Sequence, residues 1–311
     1  MESNRIIRLV SYYTLQLIAV IILILTLLFF LQRLSGDPAL VLAGHSASPE
    51  VIEAIREEMG LNEPVYVQYA VFMSKAATLD FGISNRYQQP AIDMVLQRLP
   101  NTLLLSMSAL GLAIIIGVPA GIYSAIYQHR PSGIILNMIA GVLQSLPSFW
   151  LGLILLLLFS VQLQWVGSVS NLEDNVFKRL LLPTVTLSAF YMARLMRLVR
   201  SGLIEEMGAY YVLTAHGKGL PSRRVLFTHA FRNAMIPIIA FITLDLSFLI
   251  GGSVIVESLF SYTGIGDQMV KAIFNRDYAI VQATVFVIAL MVVLVNSFSD
   301  LLYRQLDPRI E

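Results

Sequence analysis

The sequence has no cysteine and few charged residues. Without cysteine in its 311 residues, disulfides, Cys-ligated zinc, iron–sulfur clusters and thiol nucleophiles are excluded. Charged residues make up 13% of the chain, against about 25% in ordinary soluble domains. Basic and acidic residues nearly balance, 21 to 20, so no overall field favours nucleic acid. With 57% hydrophobic residues and a mean hydropathy of +0.73, the composition is that of a membrane protein.

Apolar stretches alternate with polar segments along the chain. At 1.5 Å per residue, each stretch is long enough to cross a hydrocarbon core of about 30 Å. The first is longer than the apolar part of a signal peptide and no Ala-x-Ala site follows it, so we expect it to be retained. The sequence therefore predicts an all-α integral membrane protein with six transmembrane helices, at residues 9–31, 102–127, 134–161, 180–199, 236–256 and 280–303.

The segment after the first apolar stretch has a different character. Its acidic residues outnumber its basic ones, which favours the outer side of the membrane. Ser48 is predicted to cap a helix that has Pro49 at its first position and Gly60 near its end. The predicted organisation is an N-terminal tail with the first transmembrane helix, an extracytoplasmic insert, a transmembrane core and a cytoplasmic C-terminal tail, at residues 1–31, 32–100, 101–303 and 304–311.

Basic residues outside the insert predict the orientation of the chain. They collect at both termini and in alternate polar turns, and the positive-inside rule places such residues in the cytoplasm. Both termini are therefore expected to be cytoplasmic. The residues counted are Arg5, Arg8, Arg130, Arg194, Arg197, Arg200, Lys218, Arg223, Arg224, Arg232, Arg304 and Arg309.

A long polar, basic segment, residues 205–235, separates the fourth and fifth apolar stretches. Residues 205–216 are predicted to continue the fourth helix as an amphipathic helix that ends at Gly217 and Gly219. Ser222 is then predicted to cap a second helix over residues 223–235. A helix, a glycine break and another helix at the cytoplasmic surface suit docking on another protein.

Two motifs in this segment resemble a known family. YVLTAHGKGL and HAFRNAMIP are similar to the cytoplasmic coupling motif of binding-protein-dependent ABC importer permeases of the dipeptide, oligopeptide and nickel group. His216 and Gly217 depart from the Arg and Ala that are common in the family, which alters the coupling surface there. The matching residues are Tyr211, Val212, Thr214, Ala215, Lys218, Gly219, Leu220, His229, Arg232, Asn233, Ala234 and Pro237.

Further motifs of the same group recur in order, so the resemblance covers nearly the whole chain. Four of them, GDPAL, LDFGIS, FNRDY and LDPRI, resemble the nickel branch slightly more than the oligopeptide branch. The motifs are GDPA at 36–39, LDFGIS at 79–84, RLPNT at 98–102, PSFW at 147–150, LLPTVTL at 181–187, GGSVIVE at 251–257, GIG at 264–266, RDY at 276–278 and LDPRI at 306–310.

The resemblance implies a type I ABC importer permease fold in the bacterial cytoplasmic membrane, embedded in lipid. Such a subunit forms the translocation path by alternating access and carries a coupling helix that seats in a groove of the ATPase. The implied partners are a homologous second permease, two cytoplasmic ATP-binding subunits and an extracytoplasmic solute-binding protein. No cofactor is expected in this chain, and ATP and Mg²⁺ are expected in the ATPase subunits. The implied cargo is a peptide or a nickel or metal-chelate type of solute.

Enzyme motifs are missing from the sequence. HExxH, GxSxG and paired intramembrane aspartates do not occur, and the fragment HGKGL lacks the earlier glycine and the Ser or Thr of a phosphate-binding loop. A lone Asp245 cannot supply the second carboxylate of an aspartyl mechanism. An intramembrane hydrolase is therefore a weaker alternative. A passive channel is another, but it leaves the segment 205–235 unexplained.

Other candidate site residues lie within or beside the predicted spans. Asp245, in the fifth span, is expected either to contact a cationic or amine group of cargo or to be a hydrogen-bonded structural residue. Pro147, Phe149 and Trp150 complete the expected translocation path. The histidines are scattered without i, i+4 pairs, so no metal site is expected at His45, His129, His216 or His229. Residues expected to contact the binding protein, or else to form a solvated rim, are Glu257, Asp267, Arg276 and Asp277.

Overall fold

A computed structural model describes residues 2–34, 38–43, 47–165 and 176–306. Within these ranges the chain is helical, apart from one β-bridge between Ile83 and Pro90. The predicted helical class is confirmed. Parts of the GDPA and LDPRI motifs, His45 and Arg309 lie outside the described residues.

The helices differ widely in length, from a single turn to 36 residues. Two π-helical segments are also present: Leu156–Gln162 extends α7, and Val225–Ala230 joins α10 to α11. In chain order the helices are α1 (Glu2–Leu34), α2 (Pro38–Ala43), α3 (Pro49–Glu58), α4 (Val65–Ala77), α5 (Ala91–Ile126), α6 (Pro131–Ser145), α7 (Ser148–Leu155), α8 (Val176–Met207), α9 (Tyr210–Gly217), α10 (Ser222–Arg224), α11 (Phe231–Leu259), α12 (Ile265–Phe274) and α13 (Tyr278–Leu306).

The chain divides into two compact units. The first comprises Met1–Pro100 and Gly264–Leu294, and the second comprises Asn101–Thr263 and Val295–Glu311. In the first unit, α1, α4, α5, α12 and α13 share an apolar cluster in which the Phe81 and Phe286 rings lie 5.1 Å apart. As predicted, α3 begins after Ser48 with Pro49 in its first turn, and its sequence ends before Gly60, where φ is +65°.

Glycines allow two helices of the second unit to approach closely. A side chain at Gly121 in α5 would begin 2.7 Å from the Met196 carbonyl oxygen and 2.7 Å from Val199 Cβ, both on α8. One turn earlier, a side chain at Gly117 would begin 2.8 Å from the Met192 carbonyl oxygen. Small residues four apart let helix backbones meet in lipid, and the predicted role of these glycines is thereby confirmed.

Four helical stretches are long and apolar enough to cross a membrane: Thr14–Leu34, Ala91–Ile126, Ser222–Leu259 and Tyr278–Leu301. A fifth candidate is a pair of helices, Pro131–Ser145 and Ser148–Gln162, that bends by 102°. The prediction of one uninterrupted helix over 134–161 is therefore wrong. The break follows from Pro147, which disfavours helical backbone at Leu146, whose ψ is 130°.

The predicted fourth span, 180–199, lies within α8 and is not among these apolar stretches. Basic side chains along α8 reduce its hydropathy. The six predicted spans thus correspond to four apolar stretches, or five with the bent pair, in the part of the chain that the structure describes.

Gly121→Ala tests the close approach of α5 and α8. The added methyl group must displace a backbone carbonyl, so we expect a loss of about 1–3 kcal/mol in the free energy of unfolding. Gly111→Ala is the matched control, because nothing lies within 4 Å of a side chain there. Thermal unfolding in detergent should show a lower midpoint for Gly121→Ala alone. Equal midpoints for the two variants would contradict this packing.

Candidate functional site

The segment 205–235 begins with a break at the end of α8. Gly208 and Ala209 separate α8 from α9, and Ala209 is extended, with ψ of 146°. The prediction of one continuous helix over 205–216 is therefore wrong. Glycine is a poor helix former, and Gly208 ends the preceding helix at this point. Residues 205–207 belong to α8, and α9 starts afresh at Tyr210.

A turn at Gly219 ends α9. Its φ is +79°, in the left-handed region where a side chain costs roughly 1–2 kcal/mol. The N–H of Gly219 donates to the His216 carbonyl at 2.9 Å, and the N–H of Lys218 donates to the Thr214 carbonyl at 3.1 Å. Gly217 is the last residue of α9, so the predicted break lies at Gly219 alone.

The second predicted helix of the segment differs in both its start and its end. Pro221, not Ser222, occupies the N-cap of α10, and Ser222 makes no capping bond to the backbone. The helix does not end at Met235, because α11 runs past Pro237 to Leu259. Proline removes one backbone hydrogen bond, and buried apolar residues beyond it, such as Ile238, hold the helix in the core.

One face of α9 is buried in the second unit. Val212 and Ala215 pack in an apolar cluster with Leu203 of α8, Ala230 of the π-helical segment and Ala234 of α11. Three residues separate Val212 and Ala215, which places both on one side of a helix. The cluster therefore attaches α9 to both α8 and α11.

The opposite face of α9 is open. Tyr210 is 89% exposed and Leu213 is 58% exposed. Neither residue belongs to the matched motif, although their spacing of three already indicated a common helix face. A cavity of about 520 Å³ lies beside α9, with Val212, Phe227 and Arg223 in its lining. The exposed apolar side chains form a surface that a partner could cover.

Tyr211 links three helices through its hydroxyl group. It donates a hydrogen bond to Glu206 of α8 and also contacts the side chain of Asn233 in α11. Burial raises the pKa of Tyr211, and the hydrogen bond to Glu206 raises it further. The hydroxyl group therefore remains protonated at neutral pH and can donate.

The predicted coupling residues fall into three groups by exposure. Val212 and Ala215 are buried, whereas Leu220 and His229 are partly buried. The remainder are exposed at the surface of this chain: Tyr211, Thr214, Lys218, Gly219, Arg232 and Asn233.

A charged pair lies within the second unit. Nη1 of Arg194 in α8 is 3.3 Å from Oδ1 of Asp245 in α11, and the Asp245 residue is only 3% exposed. The guanidinium carbon lies 4.0 Å from the centroid of the Phe241 ring. Sequence spacing could not reveal this pair, because its members are 51 residues apart on different helices.

The bend between α6 and α7 borders a cavity of about 370 Å³. Pro147 lines it together with Tyr191 of α8 and Gly252 of α11. Phe149 and Trp150 are exposed at the surface of this chain. The structure thus places Pro147 in a cavity with polar residues that the sequence analysis did not identify.

The carboxylates expected to face the binding protein are buried. Glu257 accepts a hydrogen bond from Ser253 at 3.0 Å, and Asp277 accepts one from Ser84 at 2.5 Å. Asp267 accepts one from Lys271 at 2.7 Å. These three side chains do not form a charged rim, because their oxygens bond within their own unit. Arg276, which adopts a φ of +53°, is the exposed member of the predicted set.

Metal ligation has no centre in the part of the chain that the structure describes. No three His, Asp or Glu residues there are grouped so that they could hold a metal ion.

Comparison with known sequences covers nearly the entire chain. Residues 117–311 match the family described as binding-protein-dependent transport system inner membrane component, and residues 6–106 match the N-terminal region of such components. The glutathione transport system permease protein GsiC of Escherichia coli strain K12 is 34% identical over 297 residues, 94% of this chain and 95% of that protein. A putative peptide transport system permease protein of Brucella abortus strain 2308 is 37% identical over 303 residues, 95% of this chain and 96% of that protein.

Solved structures share the fold. An inward-facing MetNI methionine ABC transporter chain aligns with a TM-score of 0.57 at 14% identity, over 69% of this chain and 96% of that chain. A chain of an amino acid ABC transporter solved with histidines aligns with a TM-score of 0.54 at 16% identity, over 68% of this chain and 94% of that chain.

Gly219→Ala tests the turn that ends α9. The left-handed φ strains any residue with a side chain, so we expect the turn to open more often. Gly217→Ala is the control, since it also has free space but an ordinary φ. Hydrogen exchange should become faster over residues 210–221 in Gly219→Ala and not in Gly217→Ala. The same exchange rates in both variants would show that the turn does not depend on Gly219.

Proposed function

The chain belongs to the binding-protein-dependent transport system inner membrane components, as an ABC importer permease of the peptide family, and we infer that it forms half of the cargo path of an ATP-driven peptide importer. The importer would work by alternating access. Its other members would be a homologous second permease, two ATP-hydrolysing subunits and an extracytoplasmic solute-binding protein.

The two faces of α9 carry this proposal. Val212 and Ala215 fix the helix to the cluster shared by α8 and α11, while Tyr210 and Leu213 stand exposed. Apolar side chains exposed at a membrane protein's polar surface suit a protein partner. We assign that partner to the ATPase, so that movement of the ATPase reaches α8 and α11 through one packed cluster.

ATP chemistry would take place in the partner subunits. ATP and Mg²⁺ would bind there, and this chain would transmit movement without catalysing a reaction. Lys218 is exposed at the end of α9 and would contribute charge to the docking surface.

Peptides are the cargo that the relatives favour. The two relatives described above are named for glutathione and peptide transport, and neither name supports the resemblance to the nickel branch. The charged pair of Arg194 and Asp245 also suits a cargo with charged ends better than an apolar one.

Six membrane crossings fit this assembly. The bent pair α6–α7 would provide the third and α8 the fourth, with the partner permease shielding their polar residues. Arg197 and Arg200 can extend toward the cytoplasmic interface, which favours a cytoplasmic coupling segment and cytoplasmic termini. On the outer side, Arg276 would contact the binding protein, since the nearby carboxylates are buried.

Removing the exposed apolar groups of α9 tests ATPase docking. In the complex expressed with its ATPase and second permease, Tyr210→Ala with Leu213→Ala should lower ATPase copurification by about tenfold or more, as expected for lost interface anchors. Tyr66→Ala is the matched control, because Tyr66 is 75% exposed in α4. Undiminished copurification of the double variant would contradict docking through α9.

Ala215→Leu tests transmission rather than docking. Three extra carbons in the cluster should shift α9 relative to α8 and α11 without removing its exposed face. Uptake of peptide should fall by about tenfold while ATP hydrolysis and membrane insertion persist. Normal uptake per ATP hydrolysed would show that this cluster does not couple the two processes.

A further inference from the structure

Three helical segments enclose polar groups inside an apolar part of the second unit. On α8, Tyr191 and Arg194 are three residues apart and lie on one face. On α11, Asp245 and Gly252 are seven residues apart, about two turns, and also share a face. The bend at 144–148 closes a third side of the cavity of about 370 Å³. That volume is within the range of about 300–1,000 Å³ that is usual for small-molecule sites.

Arg194 is held in place but keeps binding capacity. Its Nη1 contacts a single oxygen of Asp245, and its guanidinium plane is supported by the Phe241 ring. A guanidinium group has five N–H donors and can bind a carboxylate with two of them. The Arg194 side chain is 35% exposed, whereas that of Asp245 is 4% exposed, so the arginine is the accessible member of the pair.

Tyr191 connects the pair with the cavity. It lines the cavity and interacts electrostatically with both Arg194 and Asp245. Its hydroxyl group lies only 3.6 Å from the point where a side chain at Gly252 would begin, so glycine there keeps the space open. On the opposite side Gln144, another lining residue, accepts a hydrogen bond from Arg197 at 2.8 Å. The cavity therefore has oriented polar groups on more than one wall.

We propose that this cavity is a subsite for a zwitterionic cargo, which binds with its carboxylate on Arg194 and its ammonium group on Asp245. The ion pair keeps the empty site neutral, because each buried charge compensates the other. A zwitterion brings one charge of each sign and can exchange this single pair for two. Free amino acids and short peptides with unblocked ends have this chemistry. The assignment rests on the proposed function, since it concerns the path of that importer.

Binding to the complete permease–ATPase complex in lipid nanodiscs, without the solute-binding protein, tests the subsite. Leaving that protein out removes its own selectivity. The probes are glutathione and alanyl-alanine, each compared with its N-acetylated and its carboxyl-amidated derivative. We expect at least one free probe to bind about tenfold more tightly than both of its derivatives. Equal binding of free and blocked forms, or no binding of either free probe, would overturn the proposal.

Variants assign the two charges. Arg194→Gln should weaken binding of the free probe about tenfold and remove the preference for a free carboxylate, and Asp245→Asn should do the same for a free amine. Asp300→Asn, which changes an exposed carboxylate of α13, is the matched control. Wild-type affinity and selectivity in Arg194→Gln or Asp245→Asn would overturn the assignment of that residue to cargo.

The double variant Arg194→Asp, Asp245→Arg separates cargo binding from a structural ion pair. It restores a pair of opposite charges but reverses their positions along the cavity. Copurification with the ATPase should recover while probe binding stays low. Full recovery of probe binding would reduce the pair to a structural role. ATP hydrolysis stimulated by the loaded binding protein reports on the proposed function separately, because that stimulation would fail in the wild type only if the importer assignment itself were wrong.

Discussion

The packing of α9 on the second unit is the contact on which the account of this permease depends. A helix of eight residues is too short to be stable alone in water, so it needs tertiary contacts to stay folded. Val212 and Ala215 provide them by packing in the cluster that also contains residues of α8 and α11. The same contact that stabilises α9 therefore joins it to two long helices, and displacement of α9 cannot leave those helices unaffected.

Sequence patterns predicted the features that depend on local chemistry. The helical class, the start of α3 at Ser48, the close-contact role of Gly117 and Gly121, and the family all follow from composition, capping and motif spacing. Features that depend on distant partners were missed. Asp245 was recognised as a buried charge, but its partner Arg194 lies 51 residues away. Three outer carboxylates were expected at the surface because the hydroxyl and ammonium groups that bury them are not evident from spacing.

Helix ends were predicted less well than helices, for physical reasons. Gly208 ends α8 and Gly219 ends α9, but Pro237 does not end α11. Both residue types disfavour helix, and the outcome depends on whether tertiary packing continues beyond them. Buried residues follow Pro237 along α11, so the helix persists. An exposed loop follows Gly219, where positive φ completes the turn.

The absence of cysteine allows the central claim, that α9 docks on the ATPase, to be measured directly. A single cysteine introduced as Leu213→Cys would be the only thiol of this chain, on the exposed face of α9. Its rate of alkylation by a soluble maleimide can be compared in the permease alone and in the complex with the ATPase. The account predicts at least about tenfold slower alkylation in the complex, because the partner covers this face. Equal rates would contradict it.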